Sequence, residues 1–96
     1  MTIKIKNLEL ITLYLFSKLK KNIGDEIEIK TDYYWDIPDD SIFNPYEEPE
    51  ELTLGQLSDD IEELEKYHIK DMATSYDMKR LSSIFRALSK ESQGIW

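Results

Sequence analysis

Apolar positions recur at helical spacing from the start of the chain. Leu8, Ile11, Leu15 and Leu19 fall three and four apart, and Leu10, Leu13, Tyr14 and Phe16 widen the stripe. Residues at these intervals share one face of a helix, so the pattern predicts a helix over residues 7–23. Asn7 is placed to cap its start, and Gly24 to end it behind Lys18, Lys20 and Lys21. A helix this apolar is expected at the centre of the fold.

The period then changes. Ile27, Ile29, Tyr33, Trp35 and Ile37 alternate with Glu28, Lys30, Asp32, Tyr34 and Asp36. Alternation of β-branched and aromatic residues with polar ones predicts a half-buried strand over 27–37, and a break near Lys30-Thr31 would fold it into a hairpin. On this reading Tyr33 and Trp35 join the core, anchored on the first helix together with Ile37 and Phe43. Tyr34 then faces out beside Asp32 and Asp36. Pro38 ends the strand. Residues 38–51 hold all three prolines and predict a loop with room for one short helical turn.

Leu52-Thr53-Leu54 could add a short strand. However, Thr53-Leu54-Gly55-Gln56 has capping-box spacing, and Leu54, Leu57, Ile61, Leu64 and His68 follow at helical intervals. A second helix is therefore expected from about Thr53. Ser58 is the rival cap, with Asp59 and Asp60 in the first turn where the helix dipole favours them. Ser75 is expected to cap a last helix with the stripe Met78, Leu81, Ile84 or Phe85, and Leu88, ending before Gly94. The sum is one small α+β domain over residues 1–96. Three helices dominate it, with a short strand or hairpin after the first.

Charge divides this chain unevenly. Net charge is −8, but residues 1–24 carry five lysines and one glutamate, and residues 25–65 carry sixteen acids and one lysine. Residues 66–96 carry six basic and three acidic side chains. An acidic centre repels nucleic acid and anionic membranes and attracts basic partners, although solvated surfaces are also rich in acids. There are no cysteines, which excludes disulfides and thiolate chemistry and suits a cytoplasmic protein. Lys4 and Lys6 before the apolar run Leu10 to Phe16 resemble the start of a signal peptide. The run lacks a small-residue cleavage site and is far too short to span a membrane. A folded helix in a cytoplasmic protein is expected, with no membrane partner.

No catalytic constellation emerges. Asp39-Asp40, Glu47-Glu48, Glu50-Glu51 and Asp59-Asp60 are adjacent pairs, and neighbours on a helix or strand point apart rather than converge. Asp32, Asp36, Asp39 and Asp40 lack the spacing and the glycine of a calcium loop. His68, the only histidine, reads as a partly buried residue at a helix end. No Gly-rich phosphate loop exists, and the aromatics are interleaved with acids rather than bases. The chain is therefore expected to be no enzyme, with no catalytic, cofactor or metal residues and no nucleic-acid partner. Recognition of a basic protein is left. The candidate partner-binding set is the outward Tyr34 and Asp36, continued by Asp39, Asp40, Tyr46, Glu47, Glu48, Glu50 and Glu51. Trp96 is expected to be semi-exposed.

Tyr33-Tyr34-Trp35, Ile37-Pro38, Pro45-Tyr46, Leu52-Thr53, Gly55, Leu57, Asp59-Asp60 and Leu64 together form a pattern over about residues 26–91. It resembles a family of small bacterial proteins, some of them similar to the immunity proteins of contact-dependent growth inhibition systems. The resemblance implies binding and neutralising a cognate toxin domain, often a nuclease acting on tRNA. It implies no catalytic residues. An acidic adaptor or regulatory protein with another basic partner is the alternative.

Overall fold

A computed structural model describes residues 1–92. Helix α1 spans Ile5–Ile23, strand β1 Tyr33–Asp36, helix α2 Asp39–Ile42 and strand β2 Thr53–Gln56. Helix α3 spans Leu57–Leu64, a 3-10 helix Glu65–Ile69 and helix α4 Ser75–Glu91. The fold is α+β, about 58% helical, with a two-stranded antiparallel ladder after the first helix. Three long helices dominate, because α2 is the single short turn expected in the proline loop.

Helix α1 opens two residues earlier than Asn7 predicts. The Lys4 carbonyl accepts the amides of Asn7 and Leu8 at 3.1 and 3.2 Å, which makes Lys4 the N-cap. Gly24 ends the helix as expected. Its φ of 86° is open to glycine, and its amide donates to the Lys20 carbonyl at 2.9 Å.

The strand is shorter than the alternation predicts, and its partner is not local. Strand β1 pairs with β2, with Tyr33 opposite Gln56, Tyr34 opposite Gly55, Trp35 opposite Leu54 and Asp36 opposite Thr53. Thr53–Gln56 is therefore a strand rather than a helix start. The physical reason is Asp32, whose backbone oxygen accepts the Leu57 amide at 2.7 Å and whose Oδ1 accepts the Ser58 amide at 2.7 Å. A cap supplied from across the ladder lets α3 begin at Leu57 and frees Thr53–Gln56 to pair.

Helix α4 is capped by Thr74 rather than Ser75. The Asp77 amide donates to Thr74 Oγ1 at 3.2 Å, and the Thr74 amide donates to Asp77 Oδ2 at 3.0 Å, a reciprocal box. The Thr74 amide, then Lys70, hold the Asp77 carboxyl down at about 2.

The centre lies between α3 and α4, not on α1. Leu57 is the one buried hydrophobic among the described residues, at 6% exposure. Leu81, Ile84, Ala87 and Leu88 give α4 its half-buried face, while Met78 points to solvent. Helix α1 buries no residue. It meets α4 through Phe16 and Phe85, whose ring centroids are 5.5 Å apart, across a groove of about 250 Å³. The radius of gyration, 15.2 Å, exceeds the roughly 12.5 Å of a compact chain this long, as a loosely held helix requires. Phe43 is exposed rather than anchored on α1. His68 is exposed in the 3-10 helix, its Nδ1 3.1 Å from the Glu65 carbonyl oxygen. Gly94 and Trp96 lie outside the described residues. No helix among the described residues is long and apolar enough to cross a membrane.

Candidate functional site

Two separate sets of polar contacts tie the ladder to α3. Asp32 Oδ2 accepts from Gln56 Nε2 at 2.7 Å and from Ser58 Oγ at 2.9 Å, besides the amide on Oδ1. These donors, Gln56 first, stabilise the carboxylate and lower its pKa below the usual value. Two residues on, the Tyr34 hydroxyl donates to Asp60 Oδ2 at 2.6 Å, and Asp60 is only 8% exposed. Burial, and then the bond to Asp60, push the Tyr34 phenol above its ordinary value. Gly55 makes this possible. A Cβ there would overlap the Tyr34 ring at Cζ, Cε2 and the hydroxyl, so the ring lies where any other side chain would stand.

The outer face differs. Trp35 and Leu54 stand directly opposite each other, and Tyr33 shares their side of β1. Tyr33 and Trp35 are both 64% exposed, and Leu54 is comparably open. Leu52, Ile42, Phe43 and Tyr46 expose further apolar surface in the segments around the ladder. None of Asp36, Asp40, Glu47, Glu48, Glu50 or Glu51 forms an ion pair with a described residue. The combination of open aromatics and uncompensated carboxylates suits capture of a basic protein surface.

The expected binding set is therefore revised at its centre. Tyr34 points inward, bonded to Asp60, and Asp36, two residues on, shares its face of the ladder, so neither belongs with the outward aromatics although Asp36 is itself exposed. Tyr33 and Trp35, expected in the core, are the exposed pair instead. Ile27 and Ile29 suggested the opposite assignment, but they lie outside the paired strand. Asp39 is exposed but held by Lys79, whose Nζ is 2.8 Å from Oδ2. This carboxylate raises the lysine's pKa. Asp36, Asp40, Tyr46, Glu47, Glu48, Glu50 and Glu51 are all exposed as expected. Asp32 was legible only as one alternating polar position, and its capping role depends on a partner strand some twenty residues away. Among the described residues, no three or more His, Asp or Glu side chains gather closely enough to hold a metal ion. No protein-family profile, curated protein or solved structure matches the chain.

Proposed function

We propose that this chain is an immunity protein that binds and neutralises a cognate bacterial toxin domain and turns over nothing itself. The observation that carries the reading is the outer ladder face, where Tyr33, Trp35 and Leu54 stand open, in a segment whose Asp40, Glu47, Glu48, Glu50 and Glu51 are exposed and form no ion pair with a described residue. The resemblance of residues 26–91 to contact-dependent growth inhibition immunity proteins supports it. A nuclease is the favoured toxin class, since an enzyme that grips a polyanion presents a basic surface. The summed carboxylate field draws that surface in, and a few desolvated aromatic contacts set the lifetime of the complex. The experiment is protection of cells expressing a candidate toxin domain from the same genome, together with measured association rates. Protection is expected, with association slowed by salt, because exposed charges are screened beyond about 8 Å at physiological ionic strength. Reversing Asp40, Glu47, Glu50 and Glu51 should abolish protection without unfolding the protein. If those reversals left protection intact while changes to Lys79, Arg86 and Lys90 destroyed it, the basic α4 would be the binding face. If no toxin is protected against and native pull-downs return another basic protein, the adaptor reading replaces immunity.

A further inference from the structure

Helix α1 meets α4 across an apolar groove that the described residues leave unfilled. Leu15, Phe16 and Leu19 of α1 face Phe85, Leu88 and Ser92 of α4 around about 250 Å³ of space. Each set repeats at three- or four-residue intervals, so each forms one helix face. An apolar cavity of about 150 Å³ takes up a benzene molecule, so this groove has room for a larger ring system. Ser92 adds a second observation. It is the last described residue, it lines the groove, and its side chain is fully enclosed. Its Oγ is the one buried side-chain polar atom without a hydrogen-bond partner among the described residues. A buried oxygen of this kind calls for a donor.

Gln93-Gly94-Ile95-Trp96 follows directly on Ser92, so this segment sets out from the wall of the groove itself. We infer that it turns back along α4 and seats the Trp96 indole in the groove, strapping α1 to α4. Four residues reach about 13 Å, and Phe85 lies about 10 Å back along the helix axis from Ser92, so the whole groove is within range. Gly94 supplies the backbone freedom that such a reversal needs. The indole is both large and apolar, and it packs against Phe16 and Phe85. Its Nε1–H only donates, which is the chemistry that Ser92 Oγ lacks. A second copy or a foreign apolar molecule would have to come from solution, whereas a tethered Trp96 stands at a millimolar effective concentration. The strap uses none of the residues that the toxin reading invokes and stands or falls without it.

Fluorescence of the full chain tests this, because Trp35 and Trp96 are its two tryptophans. Trp35→Phe leaves Trp96 as the reporter, and Trp96→Phe leaves the exposed Trp35 for comparison. Trp96 is expected to emit at shorter wavelength than Trp35 and to resist acrylamide quenching, and both differences should vanish in urea. Two changes on α1 locate the shielding, read on chains whose far-UV dichroism matches the parent. Leu15 lines the groove and Leu13 does not, although the two are similarly open at 57% and 62% exposure. In the Trp35→Phe chain, Leu15→Asn should move the Trp96 emission to longer wavelength, and Leu13→Asn should leave it in place. Trp96→Ser should also lower the exchange protection of the Leu15 to Leu19 amides about tenfold, the weight of one large buried side chain. A Trp96 as open as Trp35 overturns the proposal, whether the groove then stands empty or takes up an added apolar dye. Equal responses to Leu13→Asn and Leu15→Asn overturn it as well. So does shielding that appears only as protein concentration rises, which would give the groove to a second copy.

Discussion

On one face of the ladder a single aromatic, Tyr34, lies across Gly55 and donates a hydrogen bond to Asp60. On the other face two aromatics, Tyr33 and Trp35, lie open beside Leu54. The residues are consecutive and chemically alike, so side-chain type does not decide their roles. What stands opposite decides. A glycine makes room for a ring to fold inward and reach the polar end of α3, while a leucine fills its own side and leaves the facing ring exposed. One face holds the ladder to α3, and the other stands open to solvent.

The largest expected effect comes from filling the glycine. Gly55→Ala places a methyl group within the Tyr34 ring, so the ring or the strand must move. About 2–3 kcal/mol of stability should be lost, as in other overpacked sites. That is a large share of the roughly 5 kcal/mol expected for a domain this small. Urea unfolding reads it as a lowered midpoint. An unchanged midpoint would mean that Tyr34 can swing away without cost, and the contrast between the faces would collapse.

The outer face should respond in the opposite way. Trp35→Ala should leave the urea midpoint within about 0.5 kcal/mol of wild type, as exposed substitutions do. In binding to the proposed basic partner it should cost about 2 kcal/mol, or some thirtyfold in Kd. A folding defect without a binding defect would exchange the roles of the two faces. Tyr34→Phe sharpens the same comparison at smaller scale. It keeps the ring over Gly55 but removes the donor to the buried Asp60, which should destabilise by about 1–2 kcal/mol with only a small change in binding.

These contrasts show what the sequence could and could not reveal. Helical spacing located α1, α3 and α4 because a 3.6-residue period is local and needs no partner. Gly24 marked a helix end for the same reason. The faces of β1 were read in reverse because alternation gives two faces without saying which is covered. The covering element, α3, is positioned by Asp32 from across the ladder. Thr53–Gln56 had capping-box spacing, but Asp32 already supplied the cap, so local propensity lost to a long-range hydrogen bond. The acids of the candidate site were legible as charge. Which aromatics stood among them depended on register, which no local pattern carries.

Acid should loosen the ladder's hold on α3 through Asp32. Its carboxylate accepts from the Ser58 amide, Ser58 Oγ and Gln56 Nε2, and protonation replaces an acceptor with a donor facing donors. Its folded pKa lies below the ordinary 3.8, so the contribution to stability is fully present above that value. It is lost as pH falls from about 3.8 through the folded value. Asp77, held at about 2, likewise loses its own contribution, at the α4 cap, as pH falls from about 3.8 through 2. The protection of the Leu57 and Ser58 amides, their exchange taken relative to an unstructured chain at the same pH, should hold from pH 6 to about pH 4 and then fall. In Asp32→Asn, an amide nitrogen facing Gln56 cannot reproduce the acceptor, so these two amides should exchange faster already at pH 6 and lose most of their acid response. Equal protection in variant and wild type across that range would show that α3 does not depend on the Asp32 side chain. The ladder's inner face would then be held by Tyr34 and Asp60 alone.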